Sequence, residues 1–418
     1  MLPYKLAHLT GRQSLHRPPL VPSFGEKKDM AQQQKIRRYE FDWLRVLAFS
    51  LLIFYHTGMF FVSWEWHVKN NELSKVMEWP MLFLGQWRMS LLFLISGVGV
   101  YFAMGYRSTA VFAKDRLKRI LLPLLFGMLV IVPPQVYLER LTQGYTYSFI
   151  SFYPSVLELQ SYPEGNFSWH HLWYLAYIFC YSLLLLPLLR YLRQHKPDLG
   201  RMSAWMIILL PALWLGGGEM LLRPHFPATN ALTNDWANHF LYLSIFLLGF
   251  LIVTSPPLQD SIRRLRWHSL ALAVVLISIL YAIYWVPARE LAGYEEPLYW
   301  LLKSGNRWCW ILAITGFAMQ HLNRRSVHLS TANEMVYPFY ILHQTVIVAL
   351  GFVVMDLNWP IWLKFSLMVV ATFLICFVLI RGVIMQINLL RVPFGLKAKE
   401  KYSPASAVTG THKKKVAA

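Results

Sequence analysis

From residue 41 to residue 388 this chain repeats one pattern: an apolar stretch of 18 or more residues, a short polar loop, then another such stretch. A helix of that length crosses the roughly 30 Å hydrocarbon core of a bilayer. Only helices and closed barrels satisfy their backbone polar groups there. The pattern predicts an all-α polytopic membrane bundle of ten transmembrane helices, at about 41–63, 80–104, 120–138, 171–189, 203–222, 236–255, 268–286, 298–320, 335–354 and 361–388. Composition agrees. Only 15% of the 418 residues are charged and 56% are hydrophobic, whereas a soluble domain carries roughly a quarter charged residues. The expected organisation is a disordered cytoplasmic extension over 1–35, of which 1–29 is dispensable, a membrane domain over 36–390 and a basic disordered cytoplasmic tail over 391–418.

The net charge of +19 raises the question of nucleic acid, but its distribution excludes that need. Alternate connecting loops (105–119, 190–202, 256–267, 321–334) hold 14 Lys and Arg, and the remaining loops hold 5. Residues 1–40 add 8 and residues 389–418 add 7. The positive-inside rule therefore places both termini and the first set of loops in the cytoplasm. The charge reflects topology and attraction to anionic membrane lipid; no nucleic-acid partner is expected. The three cysteines, Cys180, Cys309 and Cys376, all fall within spans, so no disulfide framework is expected.

Ionisable residues at membrane depth are costly and face protein or water. The first span, "DWLRVLAFSLLIFYH", carries Arg45 near its start and His56 eleven residues later. Eleven steps return to nearly the same helix face about 16 Å along the axis, so the two residues share one stripe, with Asp42 a turn before Arg45. The second span returns in the opposite direction and brings Arg88 to the depth of His56. Ser96 and Gly97 follow, a small-residue pair suited to close helix approach. Arg116 and Arg119 sit one turn apart where the third span begins; the spacing suits a phosphate, but taken alone it reads first as plain positive-inside charge. His170 and His171 open the fourth span, and His343 lies mid-way along the ninth. Arg381 most simply snorkels to headgroups. Glu219 is expected to line a polar cavity. No HExxH pattern or cysteine cluster supports zinc at His56, His171 and His343, and no metal is expected.

These residues resemble a known family. The Arg45–His56 spacing, "LLFLISG" in the second span, "RLKRILLP" entering the third, "HHLWYL" entering the fourth and "VYPFYILH" in the ninth are similar, in order and place, to the integral-membrane acyltransferase type 3 family. The resemblance covers about residues 36–390, and "WEWHVKN", "WRMSLLFLISG" and "PPQVYLERL" resemble a branch that succinylates periplasmic glucans. It implies a multi-pass protein of the bacterial inner membrane. Such a protein moves a short acyl group, succinyl or acetyl, from cytoplasmic acyl-CoA to a sugar hydroxyl of a glycan at the outer face. On that reading His56 is a general base or, less simply, an acyl carrier. Arg88 stabilises an oxyanion or a succinyl carboxylate. His171 and His343 orient the acceptor or relay protons. Arg45, Arg116 and Arg119 hold the CoA phosphates. The alternative is a transporter or flippase for a glycan or small anionic solute, since buried Arg and His also mark translocation paths. The paired Gly/Pro-broken helices that reading favours are absent: "GGG" at 216–218 has no counterpart in the other half.

Overall fold

In the computed structural model, residues 38–105 and 107–399 are described, and those from Tyr39 onward cluster as one unit. The expected extension over 1–35 and most of the expected tail lie outside the described residues. Among the described residues there is no named strand, only an isolated bridge between Ser161 and Phe167. We number the helices α1 Tyr39–Met59, α2 Lys75–Met104, α3 Thr109–Thr142, α4 Phe149–Val156, α5 Trp173–Leu184, α6 Leu186–His195, α7 Ala204–Leu222, α8 Trp236–Thr254, α9 Pro256–Trp285, α10 Glu295–His321, α11 Val327–Val354 and α12 Ile361–Ile384.

Each of the ten expected spans coincides with helix. Among the described residues, seven helices are long and apolar enough to cross a membrane, and α5 with α6 makes an eighth if that bent pair is one span. The exceptions are α1, which carries Glu40, Asp42, Arg45 and His56, and α10, which carries Lys303 and Arg307. Their polar load lowers the average hydropathy although both are packed into the bundle. The 62° bend between α5 and α6 falls at Leu185, just before Pro187. Proline supplies no amide donor and its ring displaces the preceding turn. Similarly, α3 is interrupted by π turns at Leu117–Leu121 and Gly127–Ile131, a distortion that often accompanies functional sites.

Bilayer helices gain little from burying apolar surface against one another, so close packing decides which pairs form. The α2–α8 pair shows this most directly. A Cβ on Gly97 would lie 1.9 Å from the Phe246 carbonyl oxygen, and one on Gly249 would lie 2.1 Å from that of Leu94. Each helix therefore offers a glycine to the other's backbone. Ser96 hydrogen-bonds Tyr174 of α5, which ties α2 to the next helix. The cysteines are free, as expected.

The site is held by α1 and α11, which run side by side in the same direction. Near their N-terminal ends, Arg45 Nη1 donates to Asn333 Oδ1 at 3.3 Å, and Asn333 Nδ2 donates to Asp42 Oδ1 at 2.9 Å. Toward their C-terminal ends, the rings of His56 and His343 lie 5.2 Å apart. The eleven-residue stripe on α1 thus faces a ten-residue stripe on α11. Past Met59 the chain leaves the helix, and the ammonium of Lys69 donates back to the Met59 and Trp64 carbonyls at 2.7 and 2.8 Å. These bonds fix the loop carrying Trp66 and His67. Burial pushes the Lys69 amine down to about 8.

Candidate active site

Three imidazoles meet between α1, α11 and the 3-10 turn His170–Leu172 that precedes α5. His343 is central, with ring centroids 5.2 Å from His56 and 5.1 Å from His171. The site is stitched in both directions: Tyr340 Oη donates to the His171 carbonyl at 2.6 Å, and His171 Nε2 donates to the Ile341 carbonyl at 3.1 Å. His343 Nδ1 donates to the Tyr340 carbonyl at 2.7 Å. A carbonyl only accepts, so these bonds assign the tautomers. They leave His343 Nε2 and His171 Nδ1 as acceptor nitrogens. Both are buried without a partner among the described residues, as is His56 Nδ1. Unsatisfied buried polar atoms are rare, and a cluster of them marks a place where a ligand or water completes the bonding.

Two clefts approach this cluster from opposite ends of α1. One, of about 520 Å³, opens at the C-terminal end; His56, Trp66, His67, Trp169, His170 and His171 are among its lining residues. The other, of about 500 Å³, lies between α1, α11 and α12 and is mostly apolar. It runs from His328 and Arg381 past Ser50 and Ala332 to His343. His56 lines the first and His343 the second. Arg381, expected only to snorkel, stands on the wall of the second cleft.

Other expected residues are placed as follows. The Arg88 guanidinium, buried in the bundle, lies 3.3 Å from the ring centre of Tyr55, the residue before His56. Its Nε and Nη1 have no partner among the described residues. Arg88 thus adjoins the histidines, as its depth predicted, but lines neither cleft. Arg116 and Arg119 both pair with Asp115, at 3.0 and 2.7 Å, so their charge is partly compensated. Their turn packs toward α11 through Gly395, whose φ of +73° suits glycine and whose absent side chain makes room for Tyr337. Arg45 is a third exposed and sits at that same end. Glu219 lines neither cleft; it pairs with Arg223 at 2.8 Å inside the bundle.

Sequence reasoning missed a polar network beside the histidines. His67 Nδ1 lies 2.8 Å from Glu139 Oε2, and His67 Nε2 accepts from Gln344 at 3.0 Å. Gln344 also donates to Gln135 at 3.1 Å, and Tyr162 Oη donates to Glu139 Oε1 at 2.6 Å. Burial and that bond raise the Tyr162 phenol above its ordinary value. The available signal was Gln135 and Glu139, spaced i, i+4 on one face of an otherwise apolar helix.

The described helices are those of a multi-pass membrane protein, with a histidine cluster buried between them. The chain belongs to the acyltransferase type 3 family, whose model, described as an acyltransferase domain, matches residues 38–381. Among curated proteins it is similar to glucans biosynthesis protein C of Shigella dysenteriae serotype 1 (strain Sd197), at 24% identity over 261 residues. The protein of the same name from Escherichia coli (strain K12) matches at 24% over 261 residues. Each match covers 58% of this chain and 66% of the relative. No solved structure gives a significant match.

Proposed function

We propose that this protein transfers a short acyl group from acyl-CoA, bound on the cytoplasmic side, to a sugar hydroxyl of a glycan at the outer face of a bacterial inner membrane. The observation that carries this reading is the meeting of two separate clefts at one pair of imidazoles, His56 on one side and His343 on the other. The apolar cleft suits an acyl-pantetheine arm, with Arg45, Arg116 and Arg119 at its end of the bundle for the CoA phosphates. The opposite cleft offers indole and phenol faces beside polar groups, a surface suited to a pyranose.

In the reaction, His56 takes the proton from the acceptor hydroxyl as its oxygen attacks the thioester carbonyl. The tetrahedral intermediate collapses, the C–S bond breaks, and the imidazolium returns the proton to the CoA thiolate. No net proton is consumed. A cation beside the reacting carbonyl favours the oxyanion, and Arg88, stacked on Tyr55, is the nearest candidate. Its Nε and Nη1 are without a partner among the described residues, so a succinyl carboxylate that reaches past the cleft wall to Arg88 would distinguish succinyl-CoA from acetyl-CoA as donor.

The test is thiol release from succinyl-CoA and acetyl-CoA by the purified protein with a glucan acceptor. Glucan-dependent release is expected with succinyl-CoA. His56→Ala should lower it by roughly 10²–10⁴, the usual contribution of a general base, with thermal stability retained. Equal activity in His56→Ala would reject the mechanism. A folded protein that carries glucan across vesicle membranes without releasing thiol would favour the transporter reading.

A further inference from the structure

Beside the histidine cluster, three side chains distant in sequence converge, two of them on the wall of the cleft that Trp66 and Tyr162 line. They are His67 on the loop after α1, Glu139 near the end of α3 and His170 in the turn before α5. One imidazole nitrogen from each histidine and one oxygen of Glu139 all lie within 4.8 Å of one another. The transfer chemistry uses none of the three.

Two of the three are also held from behind: Tyr162 donates to Glu139 Oε1 at 2.6 Å, and His170 Nδ1 sits 2.9 Å from Ser168 Oγ. His67 can ligate through Nδ1 only in the tautomer with its proton on Nε2, which faces Gln344 at 3.0 Å; the Gln344 Oε1, without a partner among the described residues, accepts that proton when the amide turns. Donating Nδ1–H to Ser168 leaves His170 Nε2 with a lone pair. That nitrogen is buried and has no partner among the described residues. Metal-ligating side chains are built in this way, with the far atom of each anchored by an outer partner that fixes tautomer and orientation.

The His67–Glu139 contact at 2.8 Å is by itself an ordinary carboxylate–imidazole hydrogen bond. It does not account for His170. That residue stacks on His67 at 4.1 Å and holds φ at +40°, a left-handed conformation uncommon for a side-chain-bearing residue. Such strain persists where the surroundings impose it and clusters at ligand sites.

We propose that His67, Glu139 and His170 form a binding site for one divalent transition-metal cation of the zinc class. Two imidazoles and one carboxylate suit zinc, cobalt or nickel; magnesium and calcium select all-oxygen sites. Three protein ligands leave a fourth position open, and His67 and His170 line the same cleft as His56. The expectation of no metal weighed His56, His171 and His343; this ligand set lies elsewhere, on three discontinuous segments. The inference stands on ligand geometry and holds whether or not the chain transfers acyl groups.

The experiment uses the full chain, purified through a tag free of histidine and stripped with chelator. Cobalt(II) is titrated and followed by its visible absorption, and zinc is titrated by calorimetry. One equivalent of cobalt should bind with a tetrahedral spectrum and be displaced by zinc. Glu139→Gln and His170→Asn, which tolerates the left-handed backbone, should each weaken binding on the order of a hundredfold. Ser168→Ala and Tyr162→Phe, which keep all three ligands, should weaken it by about tenfold. His56→Ala should bind as the unmodified protein does. Absence of saturable binding in the folded protein, or unchanged affinity in both Glu139→Gln and His170→Asn, would overturn the proposal.

Discussion

The two ends of the α1–α11 pair are built in opposite ways. At the N-terminal end, Arg45, Asn333 and Asp42 bond one another. At the C-terminal end, His56, His343 and His171 each keep a buried nitrogen without a partner among the described residues. Yet the same two helices, in the same register, present both. Saturated polar groups fix which helix faces which, whereas unsatisfied ones are costly to fold and are retained where a ligand completes them. The contrast assigns register to one end of the stripe and chemistry to the other.

Three substitutions test that contrast, from the largest effect to the smallest. His343→Ala removes the imidazole where the clefts meet and should cut turnover by about a hundredfold. Turnover near that of the unmodified protein would mean that His56 works alone. Ser50→Trp fills the wall of the apolar cleft without touching a histidine. It should raise KM for acyl-CoA at least about tenfold and leave that for the acceptor unchanged, since even one methylene in a hydrophobic pocket shifts binding by roughly 1–3 kcal/mol. A larger effect on the acceptor would reverse the roles of the clefts. Asn333→Ala breaks the saturated end and should cost about 1 kcal/mol, discounted because Arg45 is a third exposed. Thermal unfolding would read that loss, and kcat should hold. A fall in kcat with unchanged stability would show that the Arg45 end takes part in chemistry.

The difference between the ends also shows what could be read in advance. Arg45 and His56 were legible because helical periodicity places eleven-spaced residues on one face of any helix. Arg88 was legible by depth, from counting residues along antiparallel spans. Burial of His171 and partial exposure of its neighbour His170 were not: adjacent positions at the start of a span do not say which ring turns inward, and the 3-10 turn decided it. Nor could spacing reveal that Asp115 would share its charge with both Arg116 and Arg119, since rotamers settle that contact.

Hydropathy and charge asymmetry, summed over many residues, were enough to set the helical class, the positions of the long helices and the helix that carries Arg45 and His56. Such sums survive errors at single positions. The convergence of His67, Glu139 and His170 from positions 67, 139 and 170, the choice of α11 as partner for α1, and the two clefts ending on one imidazole pair were decided only by tertiary structure. Each depends on interhelical packing and loop geometry at the scale of a hydrogen bond, where local periodicity carries no information about which distant segment arrives.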